Sequence, residues 1–211
     1  MKGLIIRNIY SIYRKNEKLI IMMLLVNALF MTMFSSFSFL SIFTMLFAAA
    51  LVQDQIYDDT KTGYLDFESS LPFTSKDIVL SRYISSVAFI FIGATASIVS
   101  TSFVIFMFDY DLPYLPFALS TLLFAYIAFV LLCVLFPLYY RYSTKHIRLI
   151  SIALLVIPTG LNFLATRTEV GKLLSISLPI YLIVILAVLS LVIITGSIYI
   201  SLNLMKKMKF E

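Results

Sequence analysis

Charged residues are scarce in this sequence. They make up 13% of the 211 residues, whereas soluble domains carry about 25%. Hydrophobic residues make up 61% of the chain, and its mean hydropathy is +1.01. These values predict an integral membrane protein. The apolar runs far exceed the roughly 10 alternating residues of a barrel strand, so we expect an all-α integral membrane fold.

The residue types that catalysis and metal binding commonly use are also scarce. Cys133 is the sole cysteine and lies in an apolar run, which excludes a disulfide within the chain. The sole histidine, His146, lies in a short basic loop, where we expect it to be solvated. No predicted span carries a charged residue at its middle, which argues against ion-coupled transport. We therefore expect no catalytic residue and no metal site.

Glycine-rich nucleotide-binding motifs are missing as well. The 6 glycines are dispersed along the chain, and none forms the G-x-x-x-x-G-K-[ST] pattern that holds phosphates. Any ATP hydrolysis must therefore come from a partner. We therefore expect no cofactor in this chain.

Residues 1–17 predict an amphipathic helix. Their polar residues, continuing to Lys18, share one helical stripe and their isoleucines share another; these are Arg7, Ser11, Arg14 and Lys18 against Ile5, Ile9 and Ile12. Such a helix would lie in the headgroup layer of the membrane. A helical extension of the first span is the alternative. We expect no cleaved signal peptide, because the apolar run that follows is too long.

The uncharged runs predict six transmembrane helices in a single transmembrane domain, 1–211. Residues 19–56 would form the first and second spans, which turn near Ser35 and Ser38. Residues 79–141 would form the third and fourth spans, and 147–203 the fifth and sixth, with a tail at 204–211. Small residues mark faces suited to close helix packing or to lining a pathway; these are Gly93, Ser97 and Thr101 in the third span and Gly196 in the sixth.

The distribution of basic residues predicts the orientation. If both termini lie on one side, that side holds all of the 16 lysines and arginines except Arg167 and Lys172. Positively charged loops stay in the cytoplasm. We therefore expect a multi-pass protein of the cell membrane with both termini cytoplasmic.

Residues 57–77 are the longest polar interruption, and acids and aromatics alternate there. Leu71-Pro72 should end a short helix, and Thr74 should cap the next one, with Asp77 three residues later. Phe73 and Ile78 stand at the staple positions. We expect a cytoplasmic segment that docks a partner; a solvated loop folded back on its own spans is the alternative.

This segment resembles the type-two ATP-binding-cassette (ABC) permeases, especially small bacterial exporter subunits of peptide-toxin and bacteriocin export systems. The resemblance rests on a K-x-G pattern followed by S-L-P, a Ser-Lys pair, I-V-L and a basic-aromatic pair. These residues are Lys61, Gly63, Ser70, Leu71, Pro72, Ser75, Lys76, Ile78, Val79, Leu80, Arg82 and Tyr83.

The resemblance implies a coupling helix between the second and third spans that sits in a separate ABC ATPase subunit, and that subunit would bind ATP and Mg. It also implies a second permease subunit, in a homo- or heterodimer, around the path of an amphipathic or hydrophobic substrate, with no role for nucleic acid. The implied ATPase-coupling residues are Lys61, Gly63, Tyr64, Leu65, Phe67, Glu68, Leu71, Pro72, Ser75 and Lys76. The very short outside loops argue against an extracellular gate or a polysaccharide substrate.

Two other functions fit the same composition. A membrane protein without a transport role, such as a bacteriocin immunity factor or a sensor scaffold, would have no ATPase partner. A lipid-modifying enzyme would need catalytic residues that the sequence does not provide.

Overall fold

The computed structural model of the chain describes residues 1–33, 37–108, 114–141 and 180–210. These residues form six helices and no strand. The helices are α1 (Lys2–Met33), α2 (Phe37–Lys61), α3 (Tyr64–Ser70), α4 (Ser75–Phe108), α5 (Tyr114–Arg141) and α6 (Ile180–Phe210). The all-helical prediction is therefore confirmed for the part of the chain that the structure describes.

Helix α1 breaks at Asn16, whose φ of −112° and ψ of 18° are not helical. The Asn16 side-chain amide donates to the Ile12 carbonyl at 3.1 Å, which gives the polar side chain a local partner at the kink. The break separates the predicted amphipathic segment from the apolar segment that follows it. The N-terminal part thus has its own direction, although α1 is continuous in sequence.

The N-terminal part of α1 buries one face, on which residues recur at a spacing of four. Leu4, Asn8, Ile12 and Asn16 are all buried there, as expected for one stripe of a helix. The opposite face exposes apolar side chains, namely Ile6, Tyr10 and Tyr13. The predicted basic stripe is only partly right, since Arg7 is half-buried and pairs with Asp59 of α2 instead of facing lipid headgroups.

The long helices pack around a common apolar core. α1 packs most extensively on α4, α2 packs on α5 and α4, and α5 packs on α6. Fully buried side chains at these contacts include Met45 and Val52 of α2, Val79 of α4 and Leu132 and Phe136 of α5. α3 contacts α2, α4 and α6, so this short helix lies against one end of the bundle.

The segment between α2 and α4 has the local structure that its sequence predicts. Gly63 adopts a left-handed φ of 69°, which glycine tolerates best. Leu71, before Pro72, is extended and ends α3. The Thr74 hydroxyl and the Asp77 carboxylate form a reciprocal cap at the start of α4, with the Asp77 amide 3.2 Å from Thr74 Oγ1 and the Thr74 amide 3.3 Å from Asp77 Oδ2. The predicted short helix, turn and capping box are therefore confirmed.

Three of the described helices are long and apolar enough to cross a membrane. They are Ser75–Met107, Phe117–Arg141 and Ala187–Lys207, which correspond to the predicted third, fourth and sixth spans. The predicted first and second spans lie in α1 and α2 and are not among these three, and their turn at Ser35 lies outside the described residues. The predicted fifth span also lies outside them. Six spans therefore stay a prediction.

Candidate functional site

Asp59, near the end of α2, lies between two arginines from other helices. Its carboxylate accepts two hydrogen bonds from Arg7 of α1, at 3.1 Å and 3.0 Å. Arg82 of α4 lies 3.3 Å from Asp59 Oδ2. The paired geometry with Arg7 uses both nitrogens of a planar guanidinium, which makes such a pair directional as well as charged. Asp59 thus joins α1, α2 and α4.

Arg82 also binds Glu68 of α3. Its Nη2 atom lies 2.7 Å from Glu68 Oε2, and the Glu68 side chain is 0% exposed. Arg7, Asp59, Arg82 and Glu68 form an alternating row of two cations and two anions, which we call the charge cluster. Because the row contains equal numbers of both signs, the charges compensate one another away from water.

The guanidinium of Arg7 also covers an aromatic ring of α3. Its central carbon lies 3.6 Å from the centroid of the Tyr64 ring, which is well within the range of a cation–π interaction. Arg7 therefore contacts α2 through Asp59 and α3 through Tyr64. Four helices, α1 to α4, meet at the charge cluster.

Several polar atoms at the charge cluster have no hydrogen-bond partner within the described part of the chain. They are Glu68 Oε1, Arg82 Nε, Asn8 Nδ2 and the hydroxyl of Tyr140 of α5. Arg82 and Asn8 also line a small cavity with Gln55 and Ser86. Buried polar atoms without partners are costly, so the cluster retains hydrogen-bonding capacity that a rearrangement of its helices could use.

A second ion pair flanks the charge cluster nearer the surface. Lys15 of α1 binds both Asp54 and Asp58 of α2. Partial burial lowers the pKa of Lys15, but hydrogen bonds and attraction from the two carboxylates outweigh it, and the net pKa is raised. These charges are more than a third exposed, so solvent screens them more than the charge cluster.

α3 presents an aromatic side chain outward. Phe67 is 57% exposed, and its ring centroid lies 5.8 Å from that of Tyr64. The side chain of Leu65 is outside the described part of the structure. The other residues assigned to ATPase coupling divide between the surface and partly buried positions: Lys61, Pro72 and Lys76 are exposed, whereas Gly63, Tyr64, Leu71 and Ser75 are half-buried.

Glu68 differs from the rest of that set because it is fully buried. It cannot itself touch a docked protein in this conformation, and it faces Arg82 instead. Because Glu68 is buried, α3 exposes less acidic surface than its sequence indicates. Three acids near the end of α2, Asp54, Asp58 and Asp59, likewise pair with bases of α1.

Three of the four small-residue positions, Gly93, Ser97 and Thr101, are buried in the bundle, whereas Gly196 is half-buried. At Gly93 of α4, an added Cβ would stand 3.1 Å from Cβ of Ala48 in α2, whereas at Gly196 of α6 it would meet nothing within 4 Å. Ser97 and Thr101 are buried, and their hydroxyls have no partner among the described residues. Gly93 therefore marks a close contact between α2 and α4, and Gly196 does not mark one within the described part of the chain.

Sequence reasoning missed the residues that form the charge cluster, apart from Glu68. The sequence places Arg7 on a polar stripe in the headgroup layer, and it places Arg82 among the cytoplasmic basic residues and in the basic-aromatic pair of the family motif. A signal for Arg82 did exist, because it follows the apolar run Ile78 to Leu80 within the start of a long apolar helix. A charge at such a position is costly without a partner, and a partner should have been sought among the nearby acids.

The arrangement of the charge cluster is suited to transmitting a displacement between helices. Among the described residues, no group of three His, Cys, Asp or Glu side chains could hold a metal ion. The charge cluster instead ties a short, partly exposed helix to the end of a long apolar one through a buried ion pair. A force applied to α3 would therefore reach α4 directly.

Comparison with known proteins adds one finding. A family model described as ABC-2 family transporter protein matches residues 3–206, nearly the whole chain. No curated protein and no solved structure matches the chain significantly.

Proposed function

Since the chain belongs to the ABC-2 family of transporter proteins, and so is a permease subunit of an ABC transporter, we propose that it works as an exporter in a bacterial cytoplasmic membrane. In this proposal both termini face the cytoplasm. A separate ABC ATPase binds ATP and Mg, which agrees with the dispersed glycines of this chain. Family membership favours this function over an immunity factor or a sensor scaffold.

We assign the coupling role to α3. The observation that carries this assignment is the buried pair between Glu68 of α3 and Arg82 of α4. α3 is too short to be stable alone, yet this pair and the contact between Tyr64 and Arg7 hold it on the bundle. The exposed ring of Phe67 is available to a cleft of the ATPase, and aromatic anchors commonly dominate such interfaces.

The proposed substrate is an amphipathic or hydrophobic molecule, with a peptide toxin or an antimicrobial peptide favoured. This choice rests on the resemblance to small export permeases. A second permease subunit, identical or related, would complete the pathway. Gly93, Ser97, Thr101 and Gly196 are the proposed packing or pathway residues within each subunit.

The coupling role can be tested by co-purification of the membrane-inserted chain with its ATPase. Phe67→Asp should abolish retention of the ATPase, because a charge replaces the exposed aromatic anchor. Thr62→Asp is the matched control, since it adds the same charge at an exposed position before Gly63. Retention of the ATPase by Phe67→Asp would contradict the assignment of α3.

Transport itself needs the assembled complex in proteoliposomes. Hydrophobic peptides should stimulate its ATP hydrolysis and accumulate on the side opposite the ATPase. Movement toward the ATPase side would contradict export. A complex in which no peptide, drug or lipid alters ATP hydrolysis would contradict the proposed substrate class.

A further inference from the structure

Pro137 leaves a gap in the backbone hydrogen bonding of α5. Proline has no amide hydrogen, so the carbonyl four residues earlier, that of Cys133, loses its helical donor. The described part of α5 is apolar around this point, and an unpaired carbonyl there would be costly. We call this missing backbone hydrogen bond to the Cys133 carbonyl the proline gap.

A side chain of another helix closes the proline gap. The Ser197 hydroxyl of α6 donates to the Cys133 carbonyl. A carbonyl can only accept, and a serine hydroxyl has a single hydrogen. Ser197 must therefore act as acceptor toward any other hydroxyl that it contacts.

That other hydroxyl belongs to Tyr83 of α4. Tyr83 Oη lies 2.6 Å from Ser197 Oγ and 3.1 Å from Ser201 Oγ. Since Ser197 is the acceptor, Tyr83 donates to it, and Ser201 is left to donate to Tyr83. The resulting order is Ser201 to Tyr83 to Ser197 to the Cys133 carbonyl, which we call the hydroxyl chain.

Packing reinforces the same contact. The Tyr83 ring lies 4.5 Å from that of Phe136, centroid to centroid, and Phe136 immediately precedes Pro137. Tyr83, Phe136, Ser197 and Ser201 are all buried. The hydroxyl chain therefore links α4, α5 and α6 at the point where α5 lacks a backbone hydrogen bond.

Tyr83 directly follows Arg82, which binds Glu68 of α3 and Asp59 of α2. The two neighbours point to different helices. Arg82 contacts the helices that precede α4 in the chain, and Tyr83 contacts those that follow it. At this one turn, α4 is bound on both sides by polar contacts.

We propose that Arg82 and Tyr83 form a two-sided joint, in which Arg82 holds α3 and Tyr83, through Ser197, closes the proline gap of α5. This inference rests on the proposed ATP-driven function. Movement of α3 displaces α4 through Arg82, and Tyr83 then withdraws the hydrogen bond that orients the Ser197 hydroxyl. Ser197 can now donate to a carbonyl of its own helix instead, which releases the Cys133 carbonyl. α5 can bend at Pro137 once this carbonyl is free, because proline positions are where helices kink. Tyr83 and Ser197 are positioning residues in this scheme.

The sole cysteine provides a probe of the joint. Cys133 is fully buried beside the gap, so N-ethylmaleimide should modify it slowly in the resting permease–ATPase complex. Ser197→Ala should raise the resting rate about fivefold, the factor expected for one lost intramolecular hydrogen bond. Ser197→Thr, which keeps a hydroxyl, should label like the unaltered protein.

Pro137→Ala separates closure of the gap from general loosening of the bundle. Alanine restores an amide donor to the Cys133 carbonyl, so Pro137→Ala should return the labelling of Ser197→Ala to the resting rate. If Ser197→Ala does not fold, Tyr83→Phe replaces it. Tyr83→Phe should raise the rate of Cys133 labelling in the otherwise unaltered protein, and it should not change that rate in a protein that also carries Pro137→Ala. An unchanged rate in Ser197→Ala, or no restoration by Pro137→Ala, would overturn the joint.

The link to ATP is read from the same cysteine. Trapping the complex with ATP and vanadate should speed Cys133 labelling, and Glu68→Gln should remove that difference. The labelling of Glu68→Gln should stay at the slow resting rate in both states, which distinguishes lost transmission from unfolding. Thr95→Ala, an exposed position of α4 that bonds only to its own helix in the described structure, should preserve it. If no ATPase co-purifies, the proposed function fails, while labelling of the membrane-inserted chain alone still decides whether Ser197 closes the proline gap. If the complex hydrolyses ATP but trapping leaves labelling unchanged, the transmission from α3 fails alone.

Discussion

Arg82 Nη2 lies 2.7 Å from Glu68 Oε2 and 3.3 Å from Asp59 Oδ2, so one guanidinium nitrogen serves two carboxylates from different helices. This arrangement makes α3 part of the helical bundle although it has only 7 residues. The two acids also differ in the number of arginines that they bind. Asp59 pairs with both Arg7 and Arg82, whereas Glu68 pairs with Arg82 alone in the described part of the chain.

Glu68→Gln should strongly destabilise the protein. The substitution keeps the shape of the side chain but leaves the buried Arg82 with a single, longer ion pair. Removal of one partner from a buried pair costs about 3–5 kcal/mol. Thermal unfolding of the detergent-solubilised protein should show a large loss in Tm. Asp54→Asn, which removes an exposed partner of Lys15, is the control and should cost less than about 1 kcal/mol; equal losses would contradict the burial of Glu68.

The two sets of ion pairs should respond differently to salt. At about 1 M salt the Debye length falls to about 3 Å, and exposed charges are screened far more than buried ones. The destabilisation caused by Asp54→Asn should therefore vanish at high salt, whereas that of Glu68→Gln should persist. Thermal unfolding of both variants at low and high salt would measure this, and a salt-sensitive Glu68→Gln effect would place the charge cluster in contact with water.

Gly93→Leu should separate α2 from α4. Any side chain at this position would crowd Ala48, because its Cβ alone would lie 3.1 Å from the Ala48 Cβ. Overpacking of this kind costs about 1–3 kcal/mol. Gly196→Leu is the matched control, because it makes the same change in a helix where nothing lies within 4 Å of the added Cβ. A larger loss of thermal stability at Gly196 than at Gly93 would contradict the packing.

The exposed apolar face of α1 should lie in the membrane interface. The chain contains no tryptophan, so Tyr10→Trp introduces a single fluorescent reporter on that face. Brominated lipids should quench its emission, because tryptophan prefers the headgroup region. Lys61→Trp, at the exposed end of α2, should be quenched much less. Equal quenching at both positions would show that α1 does not lie closer to lipid than the end of α2.

The sequence was most informative where the cause of a structure is local. Pro72 ends α3 whatever surrounds it, and Thr74 caps α4 through a residue only three positions away. Long uncharged runs likewise identified α4 and α5 to within a few residues. These features depend on neighbours in the chain, which a sequence displays directly.

The charge cluster depends on contacts that the sequence does not display. Arg7 and Asp59 lie 52 positions apart, and nothing near Arg7 indicates that it faces α2 in place of lipid. The hydroxyl chain joins Tyr83 to Ser197, which is 114 positions away. Pro137 removes a backbone donor from α5 whatever surrounds it, but the residue that bonds the freed carbonyl could be found only from the packing of α6.

The separation of these partners also bears on biosynthesis. Glu68 and Arg82 lie 14 positions apart and can meet soon after both leave the ribosome. Asp59 is synthesised 52 positions after Arg7, so until then the positive charge of Arg7 has no such partner at the membrane surface. Retention of positive charge in the cytoplasm operates while a chain is being inserted. In the proposed topology, Arg7 would therefore help to keep the N-terminus in the cytoplasm during insertion, and it would later stabilise the folded bundle through its ion pair with Asp59.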